Sequence, residues 1–423
     1  MKTSCFVVLA ALAAATTPGC TCRRSPPPQQ TPADTLTEQS FKLSNGLRVD
    51  IASGACGDVA AIAVLVRIGI DNDPVGRSGL ARMVGYLVST QGGAGKASKA
   101  VVTGNDFTLY AVTANGDGIL GEIDGVGGWM SKYTPGDEDL GRARAHVLDR
   151  IAKLQGADAE ATARSLAEEA VQPTRGNGRR DGVAAEVEAV TLEELQAFWK
   201  EHVKPGNAQI AVAGRVDAGK VRARIEAALG PLPAGTPPAT RSPADATVKG
   251  TLVMGDAPTA VAIAVPAPPL ADPLYPAFLV LAARLMDKST PGRSWQAEYD
   301  PIARSEMLFI VGAVSAGEPP EAAASRIRAE ASAMLARPQA PKDQAMAGER
   351  FGLFLGLDKL DPAACAKDPG AFALARVRRT HLELDSTPIG QTLGETTPAQ
   401  LEDAAKLFEP KRTAAVIAGG AIR

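Results

Sequence analysis

The feature that most constrains the fold of this chain is an internal repeat. A Thr-led helical segment, a Pro-marked break and a short apolar run ending in Gly occur twice, about 205 residues apart. The first copy spans 191–214 and the second spans 397–419. Near the start of each half, the run 61–64 recurs as 262–265. These matches predict two homologous units, each closing on a capped helix and a short strand.

Each half is predicted to begin with two strands followed by a helix, and the fold class is therefore α+β, with two homologous sheet-plus-helix domains. We divide the chain into a signal peptide at 1–19, a Pro-rich tether at 20–37, an N-terminal domain at 38–231, a linker at 232–247 and a C-terminal domain at 248–423. Apolar spacing predicts strands at 41–50, 59–68, 251–255 and 259–265, and helices at 78–89, 137–154, 159–169, 191–202 and 275–286.

The N-terminus is typical of an export signal. Lys2 precedes an apolar run over 5–15, and small residues follow where a signal peptidase would cleave. Cys20 after Gly19 resembles the lipobox of bacterial lipoproteins, whose cysteine is acylated, although Thr17 stands where such motifs usually carry Leu. We expect a protein secreted across the inner membrane, periplasmic and lipid-anchored to the outer membrane at Cys20. Ordinary cleavage without a lipid is the alternative.

Charge excludes some classes of partner. Lysine and arginine total 45 and aspartate and glutamate total 47, so the formal net charge is −2. This balance indicates no basic surface for nucleic acid or anionic lipid, and any membrane contact is expected through the lipid anchor only. In an oxidising compartment Cys56 and Cys365 could form a disulfide, and they could equally be unpaired and buried.

Histidine is scarce, with His146, His202 and His381 the only three in the sequence. A catalytic zinc usually takes three protein ligands, often including two histidines four residues apart on one helix. No two of these histidines are near each other in sequence, so no metal or other cofactor is predicted. The segment Gly92–Lys96 lacks the spacing of a phosphate-binding loop and is predicted to be a flexible turn.

Four segments follow one another in a recognisable order. They are Phe41–Val49, then Gly79–Ala81 opening a helix, then Thr103–Tyr110, then Val203–Gln209. In this order they resemble the insulinase and pitrilysin family of zinc peptidases, which includes the mitochondrial processing peptidase. The similarity covers essentially the whole first half, whereas the second half matches by its opening and its end. The resemblance implies two homologous α+β domains that pair with another two-domain half around a peptide-degrading chamber.

The resemblance also identifies where zinc chemistry would lie. In that family a His-x-x-Glu-His helix supplies two zinc ligands and the general base, and a Glu on a later helix completes the site. The matching helix here carries Arg82 and Tyr86 at the ligand positions and Gly85 at the base position, and Arg150 stands where the later Glu is expected. Two guanidinium groups would repel a divalent cation, so no catalytic residue and no metal ligand is predicted.

Two interpretations of the altered helix are open. Arg82, Gly85 and Tyr86 fall opposite an apolar stripe, and the favoured interpretation is a polar helix face without a ligand. The alternative is an emptied cleft that still holds peptide, with Arg82 and Arg150 attracting carboxylates and Tyr86 stacking or donating. In non-catalytic relatives, an Arg and a Tyr of the second half can hold substrate. The best-aligned candidates for such contact are Tyr299 and Arg304.

The prediction for function is a catalytically inactive, insulinase-like envelope lipoprotein. It would act as the non-catalytic partner, or peptide-contacting subunit, of an active zinc-containing homologue in a heterodimer. One alternative is an active zinc metallopeptidase with rearranged ligands such as His146 and Asp149. Another is a solitary peptide-binding or envelope-assembly lipoprotein.

Overall fold

The computed structural model describes residues 36–419, apart from 55, 57–58, 91–98, 157–158, 172–181, 236–249, 256, 290–291, 303, 356–361 and 384–388. The predicted signal peptide, the lipidation site Cys20, nearly all of the tether, the turn at 92–96 and most of the linker lie outside these residues. Within the described ranges, none of the helices combines the length and apolar character needed to cross a bilayer.

Two mixed sheets organise the chain, one in each half. The first has the strand order β1-β2-β6-β3-β5-β4 and the second has the order β7-β11-β8-β10-β9. The strands of the first sheet are β1 Thr37–Lys42, β2 Arg48–Ser53, β3 Val59–Val66, β4 Lys99–Thr103, β5 Thr108–Asn115 and β6 Ala208–Gly214. Those of the second are β7 Thr251–Met254, β8 Ala260–Pro266, β9 Trp295–Asp300, β10 Arg304–Ala313 and β11 Ala414–Ala418.

The two sheets share one topology. When β1 is set aside, β2, β6, β3, β5 and β4 correspond in order to β7, β11, β8, β10 and β9. In the first sheet, the last strand β6 pairs parallel with β2 and antiparallel with β3. In the second sheet, the last strand β11 pairs in the same way, parallel with β7 and antiparallel with β8. The predicted repeat and the α+β fold class are confirmed by this correspondence.

The repeated helix starts are built alike. Thr191 accepts a hydrogen bond from the backbone N–H of Glu194, whose side chain accepts from the backbone N–H of Thr191. Thr397 and Gln400 form the same reciprocal pair. Such a capping box satisfies two backbone donors that a helix otherwise leaves unpaired at its N-terminus. The capped helices α6 Leu192–His202 and α14 Pro398–Ala405 therefore begin where the sequence predicted.

The predicted strand at 41–50 is wrong in one respect. The structure breaks it into β1 and β2, which pair antiparallel with Lys42 opposite Arg48. The break falls at Gly46, whose φ of +93° lies in the left-handed region that favours glycine. A tight turn at this glycine therefore replaces the middle of the predicted strand.

The other predicted elements form close to their predicted bounds. The remaining helices of the first half are α1 Leu80–Thr90, α2 Gly118–Ser131, α3 Asp137–Gly156, α4 Ala159–Val171, α5 Ala184–Ala189 and α7 Ala218–Leu229. Those of the second half are α8 Tyr275–Met286, α9 Pro320–Leu335, α10 Pro341–Leu355, α11 Pro362–Lys367, α12 Pro369–His381 and α13 Ile389–Gly394.

Each half lends one helix to the other. Helix α4 of the first half packs on β8 and β11 of the second sheet, through a cluster that includes Ala163, Ala167 and Ala170. Helix α12 of the second half packs on β3 and β6 of the first sheet, with Phe372 and Val377 in the cluster. At both sheets these contacts bury apolar side chains away from water. The exchange therefore joins the two halves into one packed body.

A disulfide supports one of the two exchanges. Cys56 follows β2 and Cys365 lies in α11, and their sulfur atoms are bonded across a sequence separation of 309 residues. Both residues are fully buried in the cluster under α12. Of the two states that the sequence left open for these cysteines, the structure shows the paired one.

Candidate functional site

Helix α1, which carries three of the four positions where the sequence predicts an altered zinc site, begins at a buried carboxylate. The backbone N–H groups of Gly79 and Ala81 each donate to Asp73 at 2.7 Å. Gly79 has a φ of +97° and so turns the chain into the helix. Burial raises the pKa of Asp73 to about 7, against the lowering effect of the hydrogen bonds from Ala81 and Gly79 and of the Arg82 charge.

Apolar packing fixes the orientation of α1. Leu80, Met83, Val84, Leu87 and Val88 are all buried in the core of the first half, as their helical spacing predicted. The opposite face is also covered by protein. Arg82 and Tyr86 are half-buried and Gly85 is buried, so neighbouring elements partly cover the polar face that the favoured interpretation predicted.

Gly85 lies where the helix comes closest to the sheet. A Cβ added at Gly85 would stand 2.5 Å from Oγ1 of Thr103 in β4, a distance that real Cβ atoms do not show. The next neighbours are methyl groups of Thr108 and Val101, at 3.4 and 3.5 Å. A glutamate at this position, as a general base would require, needs a larger shift of α1 from β4 than an alanine does.

The face of the Tyr86 ring is covered by a neighbouring aromatic ring. Its side chain stacks on His146 of α3, with ring centroids 4.5 Å apart and an interplanar angle of 22°. Desolvation lowers the pKa of His146, and the charges of Arg150 and Arg82 act in the same direction while Asp149 opposes them. Asp149 itself forms an ion pair with Lys153 at 2.7 Å.

Arg82 and Arg150 line a cavity of about 600 Å³ between the two halves. The wall from the first half includes the end of β4 and part of α4, and the wall from the second half includes β9 and part of β10. Both β4 and β9 are at the edges of their sheets. The volume lies within the range of small-molecule and peptide pockets. The structure thus brings together two predicted positions that are far apart in sequence.

Tyr299 reaches the same cavity from the second half. Its hydroxyl lies 2.9 Å from that of Tyr275, and the side chain is only 5% exposed. Burial and the neighbouring Tyr275 raise the pKa of Tyr299 well above its usual value, so the hydroxyl is neutral at physiological pH. Arg304 is placed at the start of β10, opposite Asp300, and its side chain lies outside the described part of the structure.

The residues at the expected zinc site do not fit the metal. Zinc takes nitrogen, sulfur or carboxylate ligands, whereas two of the four positions here carry guanidinium groups and one has no side chain. Across the described residues, no group of three His, Cys, Asp or Glu side chains is arranged to hold a metal ion. His146 and Asp149, the candidates for rearranged ligands, instead contact Tyr86 and Lys153.

Several lining residues carry no local sequence signal. Arg164 of α4 bonds to Glu298 of β9 at 3.3 Å, and Asn105 donates to Glu306 of β10 at 2.6 Å, so polar contacts cross from one half to the other. Their partners lie more than a hundred residues away in sequence. The exchange of α4 brings Arg164 to Glu298, and the loop between β4 and β5 brings Asn105 to Glu306. No periodicity in the sequence encodes either contact between the halves.

Comparison with known proteins gives one match by sequence. Residues 189–300 match the family model of the Peptidase M16 inactive domain. No curated protein matches the chain.

The fold is similar to several solved peptidase structures. A protease from Helicobacter pylori has a TM-score of 0.74 and 17% identity, over 90% of this chain and 99% of that chain. The peptidase M16 inactive domain from Pseudomonas fluorescens has a TM-score of 0.70 and 18% identity, over 92% and 98%. The periplasmic protease PqqL from Escherichia coli has a TM-score of 0.62 and 15% identity, over 90% of this chain but only 47% of that chain.

Proposed function

We propose that this chain, a peptidase-like protein of the M16 family by its fold and by its match over residues 189–300, is a non-catalytic subunit that holds peptide beside an active zinc-containing homologue. The resemblance to insulinase and pitrilysin peptidases that the sequence predicted is confirmed. The partner, the peptide and the lipid anchor belong to the proposal.

One observation carries the non-catalytic role. At the positions where the sequence predicts the metal site, this peptidase-like fold carries Arg82, Gly85, Tyr86 and Arg150, and Thr103 fills the space beside Gly85. Zinc hydrolases need an open metal position and a base next to the bound water. The side chains at these positions supply neither, and packing closes the place of the base.

The cavity supports a role in holding peptide. It is bounded by the edge strands β4 and β9, and the edge of a sheet presents backbone N–H and C=O groups that an extended peptide can pair with. Arg82 and Arg150 would contribute charge instead of metal chemistry. The interpretation of α1 as an emptied cleft, which the sequence made the less favoured one, is the one that this geometry supports.

The likeness to PqqL gives the proposed partnership its form. The alignment joins 90% of this chain to 47% of that protease, so the residues compared correspond to about half of it. In the proposed heterodimer, a homologue with an intact His-x-x-Glu-His would supply the other half and close a shared chamber.

Export is supported by the disulfide. Disulfides persist in oxidising compartments such as the bacterial periplasm, and Cys56–Cys365 joins two buried positions. We keep the prediction that Cys20 is acylated and that the protein is anchored to the outer membrane. Mass spectrometry of the mature N-terminus tests it: a diacylated cysteine at position 20 is expected, and an unmodified N-terminus would contradict it.

The non-catalytic role is tested by metal analysis and a peptidase assay. The protein purified from membranes is expected to contain no stoichiometric zinc and to cleave no peptide after zinc is added. If activity is found, His146→Ala is compared with His202→Ala, whose ring packs on Phe198 instead of on Tyr86. Loss in His146→Ala alone would establish rearranged zinc ligands and overturn the proposal.

The partner role is tested by purification from membranes followed by reconstitution. A homologue with the zinc motif should copurify with this chain, and its peptidase activity should rise when this chain is added. A variant of the homologue with the motif Glu replaced by Gln should bind equally well without activity. Recovery of no such homologue, or a homologue fully active alone, would instead favour a solitary lipoprotein.

A further inference from the structure

We propose that the cavity between the two halves selects acidic peptides, and that Arg82, Arg150, Lys288 and Arg350 determine this selectivity. The inference rests on the proposed peptide-holding role and specifies the class of peptide. The four residues come from both halves of the chain and meet only in the folded protein.

The first half contributes Arg82 of α1 and Arg150 of α3 to the cavity lining. Both side chains are half-buried, and both act electrostatically on His146, whose pKa is lowered first by desolvation and then by Arg150 and Arg82. A carboxylate beside them meets two permanent positive charges in partly dehydrated surroundings, where charge pairs are stronger than in bulk water. A lysine side chain entering the same place would be repelled.

The second half contributes two exposed cations to the lining, Lys288 after α8 and Arg350 of α10. Neither has a hydrogen-bond or ion-pair partner among the described residues. Both therefore keep their donors for a ligand that enters from solvent. Together with Arg82 and Arg150 they give the cavity positive charge from both halves of the chain.

The acidic residues of the cavity are held by the protein itself. The described lining includes five basic and four acidic side chains. Glu298 is paired with Arg164 and Glu306 accepts from Asn105, and Asp300 accepts from the backbone N–H of Ile302. Glu168 is only 3% exposed. The carboxylates that a bound peptide meets are thus already bonded or shielded from solvent. The cations Lys288 and Arg350, in contrast, are exposed and keep their donors for the peptide.

The inference is tested with three fluorescein-labelled peptides that differ only in charge. Each alternates alanine with aspartate, asparagine or lysine, and binding to the full-length mature protein is followed by fluorescence anisotropy at low salt. The aspartate peptide should bind at least about tenfold more tightly than the asparagine peptide, and the lysine peptide more weakly still. The preference should shrink as salt screens the charges.

Reversing the charge of the two exposed cations tests whether the preference for the aspartate peptide arises at the cavity. Lys288→Glu with Arg350→Glu should weaken the aspartate peptide by about tenfold or more and strengthen the lysine peptide. The matched control is Lys342→Glu with Lys200→Glu, which changes net charge equally at exposed positions outside the cavity lining and should leave the preference intact. Arg82→Gln with Arg150→Gln, checked for folding by circular dichroism, should also abolish the preference.

The outcomes separate this inference from the proposed function. Equal binding of all three peptides, together with activation of the homologue in reconstitution, would overturn the acidic preference and leave the peptide-holding role standing. An equal effect of the control pair would show long-range charge instead of a site, and would overturn the assignment to these four residues. Absence of binding by every peptide would overturn both.

Discussion

The two exchanged helices, α4 and α12, cover equivalent faces of the two sheets by different means. Helix α4 lies on the second sheet mainly through alanines and one partly exposed ion pair, Arg164 with Glu298. Helix α12 lies on the first sheet with a disulfide at its base, an ion pair from Arg376 to Glu38 and a hydrogen bond from Thr380 to Asp50.

The difference indicates which exchange each half depends on. Small side chains bring α4 close to its sheet with little specific bonding, whereas α12 is held by covalent and polar contacts along its length. Duplication preserved the topology of both sheets, while the attachment of the exchanged helix diverged. We therefore expect α12 to be the more firmly anchored of the two helices, and α4, which carries a wall of the cavity, to be the one that can shift.

The disulfide is the largest single difference. Replacing both cysteines, as Cys56→Ala with Cys365→Ala, should lower the free energy of unfolding by about 3–5 kcal/mol, because the bond closes a very long loop of the unfolded chain. Chemical denaturation of the exported protein measures this loss. Amide exchange should rise in α12 and stay unchanged in α4. Equal exchange in both helices would show that the disulfide does not distinguish them.

The buried arginine of α12 gives the next effect. Arg378 lies 3.9 Å over the ring of Phe107 and donates from Nε to the carbonyl of Ile302 at 3.0 Å. Arg378→Ala should cost about 2–4 kcal/mol, because it removes a large buried side chain with its bonds. The counterpart on α4, Arg164→Ala, should cost less than about 1 kcal/mol, because its ion pair is partly exposed. Similar losses in thermal unfolding would remove the proposed asymmetry.

The sequence predicts a feature of the fold when the residues that determine it are close together along the chain. The repeat predicted two opening strands, a capped helix and a closing strand in each half, because each of these carries its own local pattern, as at Thr191 and Thr397. The other strands of the two sheets were not predicted. The turn at Gly46 was missed although Ser44, Asn45 and Gly46 are typical turn residues, because the alternating pattern on both sides was interpreted as one strand. The exchange of α4 and α12 was not predicted, since periodicity shows that a helix has a buried face but not which sheet covers it.

At the candidate site too, local positions were predicted and contacts with distant residues were not. The positions of Arg82, Gly85 and Tyr86 followed from the spacing on one helix. Their surroundings did not, because Thr103 comes from another strand and His146 from another helix. Lys288 and Arg350 could likewise be joined to the cavity only by the fold.

The two halves also differ in how their first helix starts, and this predicts a pH dependence. Helix α1 begins on the buried Asp73, whereas α8 begins after Asp272, which accepts from the backbone N–H of Leu274. The folded pKa of Asp73, about 7, lies above its ordinary unfolded value near 4. The folded state therefore binds more protons in this range, and its stability falls as pH rises from about 4 to 7, by at most about 1.4 kcal/mol per pH unit.

Asp73→Asn removes this titration. Denaturant unfolding at several pH values measures the stability of both proteins. The unfolding free energy of the natural chain, relative to that of the variant, should fall as pH rises. Asp272→Asn serves as the control in the other half. A difference that is flat between pH 4 and 7 would contradict the assignment to Asp73.

The smallest expected effect concerns the approach of the first helix of each half to its edge strand. Helix α1 reaches β4 through Gly85, whereas α8 contains no glycine. Gly85→Ala should lower the unfolding free energy by about 1 kcal/mol, because the close contact with Thr103 outweighs the better helix propensity of alanine. In a Thr103→Ala background the contact is gone, and the same change should stabilise the protein by up to about 1 kcal/mol. A sign that stays the same in both backgrounds would show that Thr103 does not close the position of the base, and would weaken the structural argument for a lost active site.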